Sequence, residues 1–249
     1  AGCAGTGASP TSSPSAIPVS EQMPTGAAEK SAKTHTELGT LYLEAGNFAV
    51  ALEESRYAAA TDPNYAPAYN LMGLVHLMLN ETSQAKGAFE RAIQLAPTDP
   101  QIANDYGWFL CVSGREQEAF KYFETATRNP LYRTPTRPYT NAGLCYLRIK
   151  DDKSAEMNFQ RAVLLDGSNA QATYHLASLS YKRGDYFNAK KLLGELHKLI
   201  EPNAESLWLG VRIERKIGDR QAEAGYSSQL RRKFAGTPEH QALMQGKFE

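Results

Sequence analysis

The chain has 249 residues, 42% of them hydrophobic and 22% charged, and 27 lysines and arginines balance 27 aspartates and glutamates. A neutral chain lacks the basic footprint that nucleic acid binding needs. No stretch is long and apolar enough to cross a bilayer as a helix.

Residues 1–31 stand apart from the rest. The run from Ala1 to Lys30 is rich in Ala, Gly, Ser, Thr and Pro and offers almost nothing for a core, so disorder is expected there. Cys3 follows Ala1-Gly2 and precedes this polar run. Ala-Gly-Cys resembles the end of a bacterial lipoprotein signal, where the leader is cut before the Cys and the Cys is acylated. The other reading of Cys3 is an ordinary thiol in a tail; the composition after it favours the anchor. Ala4 follows it rather than Asp, which by the enterobacterial sorting rule suits the outer membrane. A tether from Ala4 to Glu29 would reach roughly 30 Å. Several acyl chains would hold it stably, where a single one is marginal.

From residue 32 the sequence repeats. Gly39, Gly73 and Gly107 are 34 apart, and Gly143 follows after 36. Twelve residues after each comes Ala51, Ala85, Ala119 or Ala155, and nineteen after comes Ala58, Ala92, Ala126 or Ala162. Sixteen after comes Phe89, Phe123 or Phe159, with Ser55 the exception in the first copy. A period of 34 with this pattern is the helix–turn–helix unit of the tetratricopeptide repeat. Small residues are expected where the paired helices cross, and the Phe fills the space between them. Pro63 and Pro97 end second helices. His76 occupies a packing position usually held by Tyr. Two weaker copies follow, with Leu176, Ala177, Ala189 and Leu193 in the fifth and Leu209, Gly210, Ala222 and Tyr226 in the sixth. Drift of this kind suits the end of an array. The fold class is therefore all-α, a right-handed superhelical array of about six repeats over 32–236. A capping segment, 237–249, includes a short helix over Glu239–Lys247. The clusters Arg212–Arg215 and Arg231–Lys233 read as solvated helix faces.

Cys111 and Cys145 lie 34 residues apart in the first helices of adjacent copies. A disulfide between them is permitted in an exported chain. Two buried thiols acting as small apolar side chains are the other possibility. No zinc spacing accompanies them. The five histidines form no HExxH, and neither a Walker A lysine motif nor GxSxG occurs. Hence no enzyme, metal or cofactor is expected.

Repeat arrays work by presenting a concave groove lined by first helices. Its positions here are Pro67, Asn70, Leu74, Leu77 and Met78, then Gln101, Asn104, Trp108, Cys111 and Val112, then Arg137, Thr140, Leu144, Leu147 and Arg148. Leu74, Leu77, Met78, Trp108, Leu144 and Leu147 make an apolar stripe, edged by Asn70 and Asn104, that suits an extended or helical peptide. Packing within the array is the competing use for the same residues. A carboxylate clamp is not expected, because its places hold Thr36, Thr40, Leu71, Gln101 and Asp105, none of them a cation.

Several stretches are more specific than the repeat. They are Asn104-Asp105-Tyr106-Gly107-Trp108-Phe109-Leu110-Cys111, Asn129-Pro130-Leu131-Tyr132, Asn141-Ala142-Gly143-Leu144-Cys145 and Glu205-Ser206-Leu207-Trp208-Leu209-Gly210-Val211-Arg212-Ile213-Glu214-Arg215. On these the chain resembles the type IV pilus biogenesis and stability lipoproteins, the pilotins of the pilus secretin, and most of all their neisserial member. The resemblance implies a monomeric, non-enzymatic lipoprotein on the periplasmic face of the outer membrane. Such a protein binds secretin subunits and promotes their localisation or assembly. A periplasmic adaptor for a cell-wall enzyme or another envelope protein is the alternative.

Overall fold

A computed structural model describes residues 17–248, and among them every regular element is helical. The chain divides after Pro135 into two compact units. The first holds a 3-10 turn, Val19–Glu21, and six helices: α1 (Ala27–Glu44), α2 (Phe48–Thr61), α3 (Ala66–Met78), α4 (Thr82–Leu95), α5 (Pro100–Val112) and α6 (Glu116–Arg128). The second holds α7 (Thr136–Arg148), α8 (Asp152–Leu165), α9 (Ala170–Lys182), α10 (Tyr186–Leu199), α11 (Ala204–Ile217), α12 (Arg220–Lys233) and α13 (Pro238–Met244). Twelve of the helices pair as six antiparallel hairpins, three in each unit, and α13 lies on α11 and α12. These are tetratricopeptide repeats.

One turn makes all six hairpins. A left-handed residue ends each first helix: Gly46, Asn80, Gly114, Lys150, Gly184 or Gly218. The backbone N–H of the next residue then reaches back to a carbonyl of the last helical turn, as Asn47 does to Tyr42, Arg115 to Leu110 and Asp219 to Glu214, at 2.8–3.0 Å. That bond satisfies a carbonyl the helix end would orphan. In four hairpins the same residue, Asn47, Asp151, Asp185 or Asp219, also caps the second helix with its side chain. Three positions thus end one helix, reverse the chain and start the next.

Inside the hairpin a glycine faces a ring. A Cβ added to Gly73 would stand 2.7 Å from Phe89, one on Gly107 2.9 Å from Phe123, one on Gly143 2.6 Å from Phe159 and one on Gly210 2.9 Å from Tyr226. The glycine therefore makes room for the partner helix's aromatic side chain rather than for its backbone. Repeat one explains its own exception. Ser55 is too small to fill the place and turns its hydroxyl to the Leu52 carbonyl at 2.8 Å. Leu71 enters from the next hairpin instead, 2.7 Å from a Cβ built on Gly39. Repeat five trades both partners at once, with Ala177 against the smaller Leu193, both buried. The same rings link hairpins within a unit. Phe89 lies 5.3 Å from Phe109 between ring centroids, and Phe159 stacks on His175 at 4.9 Å.

The described part of the segment expected to be disordered, 17–31, has structure. Pro18 leads into the 3-10 turn, and the Val19 N–H donates to Asp99 Oδ2 at 2.7 Å. Val19 packs beside Tyr65 and Ala66, and Glu21 pairs with Arg133 at 2.8 Å. Thr25 and Glu29 then close the start of α1, where Glu29 accepts from both the N–H and the hydroxyl of Thr25. A few specific contacts replace the apolar burial that the composition lacks. Asp99 also caps α5 through Gln101 and Ile102. Burial pushes its carboxyl above the usual range, opposed by the N–H groups of Ile102, Val19 and Gln101.

The ring-on-glycine contact makes a paired prediction. Gly73→Ala forces Phe89 to move and is expected to cost about 1–3 kcal/mol. Gly87→Ala, in the same hairpin with nothing within 4 Å of the new Cβ, is expected to stabilise by about 0.5–1 kcal/mol. Urea titration of both variants checks this; equal signs would show that the glycine's room is not needed.

Candidate partner-binding site

In the first unit α1, α3 and α5 lie side by side, as first helices do in a repeat array. Asn70, Leu74, Leu77 and Met78 are spaced four, three and one apart and share one side of α3. Asn104 and Trp108 share the matching side of α5. Leu74, Leu77 and Trp108 are partly buried, and Met78 is 56% exposed. This apolar face is available within the unit, and Met78 is its most open member.

The two asparagines do not edge it as expected. Asn104 is fully buried and Asn70 nearly so. Their amides turn to Asp105: Asn70 Nδ2 donates to Oδ2 at 2.8 Å and Asn104 Nδ2 to Oδ1 at 2.9 Å. Gln101 Nε2 donates to Oδ2 at 2.7 Å, and its own Oε1 accepts from the Tyr132 hydroxyl at 2.8 Å. A carboxylate inside the fold must gather donors, and these amides supply them. Position within the repeat tells which way a side chain points, not what meets it there. Asn70 Oδ1 remains buried with no hydrogen bond.

In the second unit Leu144 and Leu147 pack against the core around Phe159, Leu176 and Leu179. Both are partly buried, as Leu74, Leu77 and Trp108 are. Cys111 and Cys145 are each fully buried. Cys3 lies outside the described residues. Among the described residues no group of three or more metal-ligating side chains converges, and no helix is long and apolar enough to cross a membrane. His76 is buried and shares a 2.6 Å hydrogen bond with Glu81, a structural use.

One cluster escapes the reading of charge runs. Arg231, Arg232 and Lys233 are solvated as expected, but Arg212 is not. Its guanidinium carbon sits 5.0 Å from the Tyr181 ring centroid and 5.7 Å from that of Trp208. The available signal was the spacing of Trp208 and Arg212, four apart on α11.

Comparison with known proteins agrees with this architecture. Tetratricopeptide-repeat profiles match residues 42–104 and 136–169. The type IV pilus assembly protein PilF of Pseudomonas aeruginosa is 29% identical over 207 residues, which cover 83% of this chain and 82% of that protein. A solved structure from the functional characterisation of Pseudomonas aeruginosa PilF superposes with a TM-score of 0.81 at 27% identity, covering 89% of this chain and 100% of the other. The crystal structure of PilW, described as a widely conserved type IV pilus biogenesis factor, gives 0.78 at 26% identity, with 86% and 98% covered. The chain is thus a tetratricopeptide-repeat protein similar to two pilus biogenesis factors.

The Asp105 hub has a measurable cost. Asp105→Ala removes the acceptor that the amides of Asn70, Asn104 and Gln101 share, and is expected to cost about 2–4 kcal/mol. Urea denaturation checks it; a loss well under about 1 kcal/mol would mean that water replaces the carboxylate.

Proposed function

We propose that this chain acts in type IV pilus biogenesis by binding rather than by catalysis. It is a pilotin-type lipoprotein, held at the periplasmic face of the outer membrane through acylated Cys3. Its partners are secretin subunits, whose localisation or multimer assembly it promotes. The observation that carries this reading is identity sustained over most of both chains. PilF is 29% identical over 83% of this chain and 82% of its own, whereas a tetratricopeptide-repeat protein from Parabacteroides merdae that covers similar shares of both chains is only 15% identical. The contact surface we assign is the apolar face of α3 and α5. Exposed apolar side chains that do not serve the core are the usual anchors of a partner. Met78, at 56% exposed, fits that description best, and the partly buried Leu77 and Trp108 extend the face beside it.

The test uses the full-length lipoprotein in its own host. Leu77→Ser with Met78→Ser, and separately Trp108→Ala, are expected to remain folded and membrane-attached. Each is expected to weaken secretin binding about tenfold or more, the usual effect of losing a central apolar anchor, and to lower secretin multimers. Cys3→Ala is expected to move the protein to the soluble fraction. Folded variants with normal multimers would remove the face from consideration, and an unlipidated wild type would remove the anchor.

We further assign a disulfide between Cys111 and Cys145, consistent with the full burial of both. Closing a 34-residue separation is worth about 3–4 kcal/mol in the chain-entropy account. Mass spectrometry of the oxidised protein after alkylation is expected to find neither cysteine modified, and reduction to lower the melting temperature. Two alkylated residues would refute the bridge.

A further inference from the structure

We propose that the end of the second unit holds an anion pocket that takes a carboxylate-bearing peptide segment of a protein partner. This site is separate from the α3–α5 face and does not depend on it. A cavity of about 700 Å³ is lined by Tyr181 from the last turn of α9, Arg212, Arg215 and Lys216 from α11, and Gly246, Lys247 and Phe248 beyond α13. Among the described residues four cations line it and no acid does.

The pocket is built by a chain reversal. Gly246 adopts φ +66, and the Lys247 N–H bonds back to the Ala242 carbonyl at 3.0 Å. This returns Phe248 onto α11, where its ring lies 5.5 Å from Trp208 and 3.8 Å from the Arg215 guanidinium carbon. Arg215 is already engaged, with Glu223 at 3.0 Å. Arg212 is not. Its guanidinium rests near the rings of Tyr181 and Trp208 and makes no ion pair or hydrogen bond among the described residues, and its Nε is buried without an acceptor. Lys216 and Lys247 are exposed and have no ion pair among the described residues either.

A guanidinium held on ring faces presents its fork at little further entropic cost, and that fork matches the two oxygens of a carboxylate. The rings of Tyr181 and Phe248 offer apolar surface to the stem of an acidic side chain or to its neighbour. A lone small anion would leave most of the cavity to water. Binding to an anionic lipid surface ordinarily uses cations that project, whereas Arg212 is recessed. These features favour a peptide with alternating acidic and apolar residues.

The two tryptophans supply the readout. Trp208 lies against two lining residues, Arg212 and Phe248, and Trp108, in the other unit, is an internal reference. In nitrogen-15-labelled full-length protein, a blocked Leu-Glu-Phe-Asp peptide is expected to shift the Trp208 indole N–H and leave that of Trp108 in place. The amide-matched Leu-Gln-Phe-Asn peptide is expected to shift neither. Arg212→Gln should weaken the acidic peptide at least about tenfold, as loss of a bidentate charged bond does. The double variant Lys216→Gln, Lys247→Gln changes only exposed side chains and should weaken it several-fold. The proposal is overturned if the acidic peptide leaves Trp208 unmoved, if the amide peptide acts equally, or if sodium phosphate or phosphatidylglycerol vesicles alone move Trp208 as strongly. Unchanged affinity in folded Arg212→Gln also overturns it. Should Arg212→Gln not fold, unchanged affinity in the lysine double variant does so.

Discussion

The contact on which the molecule depends is a ring laid on a missing side chain. Phe89 over Gly73, Phe123 over Gly107, Phe159 over Gly143 and Tyr226 over Gly210 set how closely the two helices of a hairpin approach. Interiors are packed to crystal density, so a ring needs a vacancy of its own shape. The glycine provides it, and the ring's far side is left for the next hairpin, as Phe89 shows against Phe109. One contact therefore sets both the hairpin and its stacking, and the repeat is the smallest unit that can carry it.

The same logic explains why the repeat could be read from the sequence at all. A glycine and a ring sixteen residues apart are one physical pair, and a pair can be recognised when it recurs. Where the pairing changes, the packing compensates: Ala177 meets the smaller Leu193, and Gly39 keeps its room while Leu71 enters in place of the ring that Ser55 lacks. These substitutions look like drift in the letters and are complementarity in the packing. The turn residues were less legible, because Asn80 and Lys150 hold the left-handed position that glycine holds elsewhere.

What the sequence hid were contacts made once. The amides of Asn70 and Asn104 sit at positions that face a groove in the repeat, yet Asp105 draws both inward. Arg212 reads as one charge among several until Tyr181, a turn of another helix, is brought beside it. The ordering of 17–22 rests on a carboxylate 80 residues away. None of these has a period, so no pattern announces them. Function lies largely in such unrepeated features, because a surface identical in every repeat could not tell one partner from another.

The docking of Val19 on Asp99 also decides where force enters the molecule. A pull applied from upstream of Ile17 does not act on the free tip of α1. It passes first to the carboxylate that caps α5, and through Glu21 to Arg133. The load meets the first unit near its third hairpin, where helix α5 is buried along most of its length. The first hairpin, which has a neighbour on only one side, is spared from being peeled away. An array hung by that point would carry drag through a helix that is buried along most of its length.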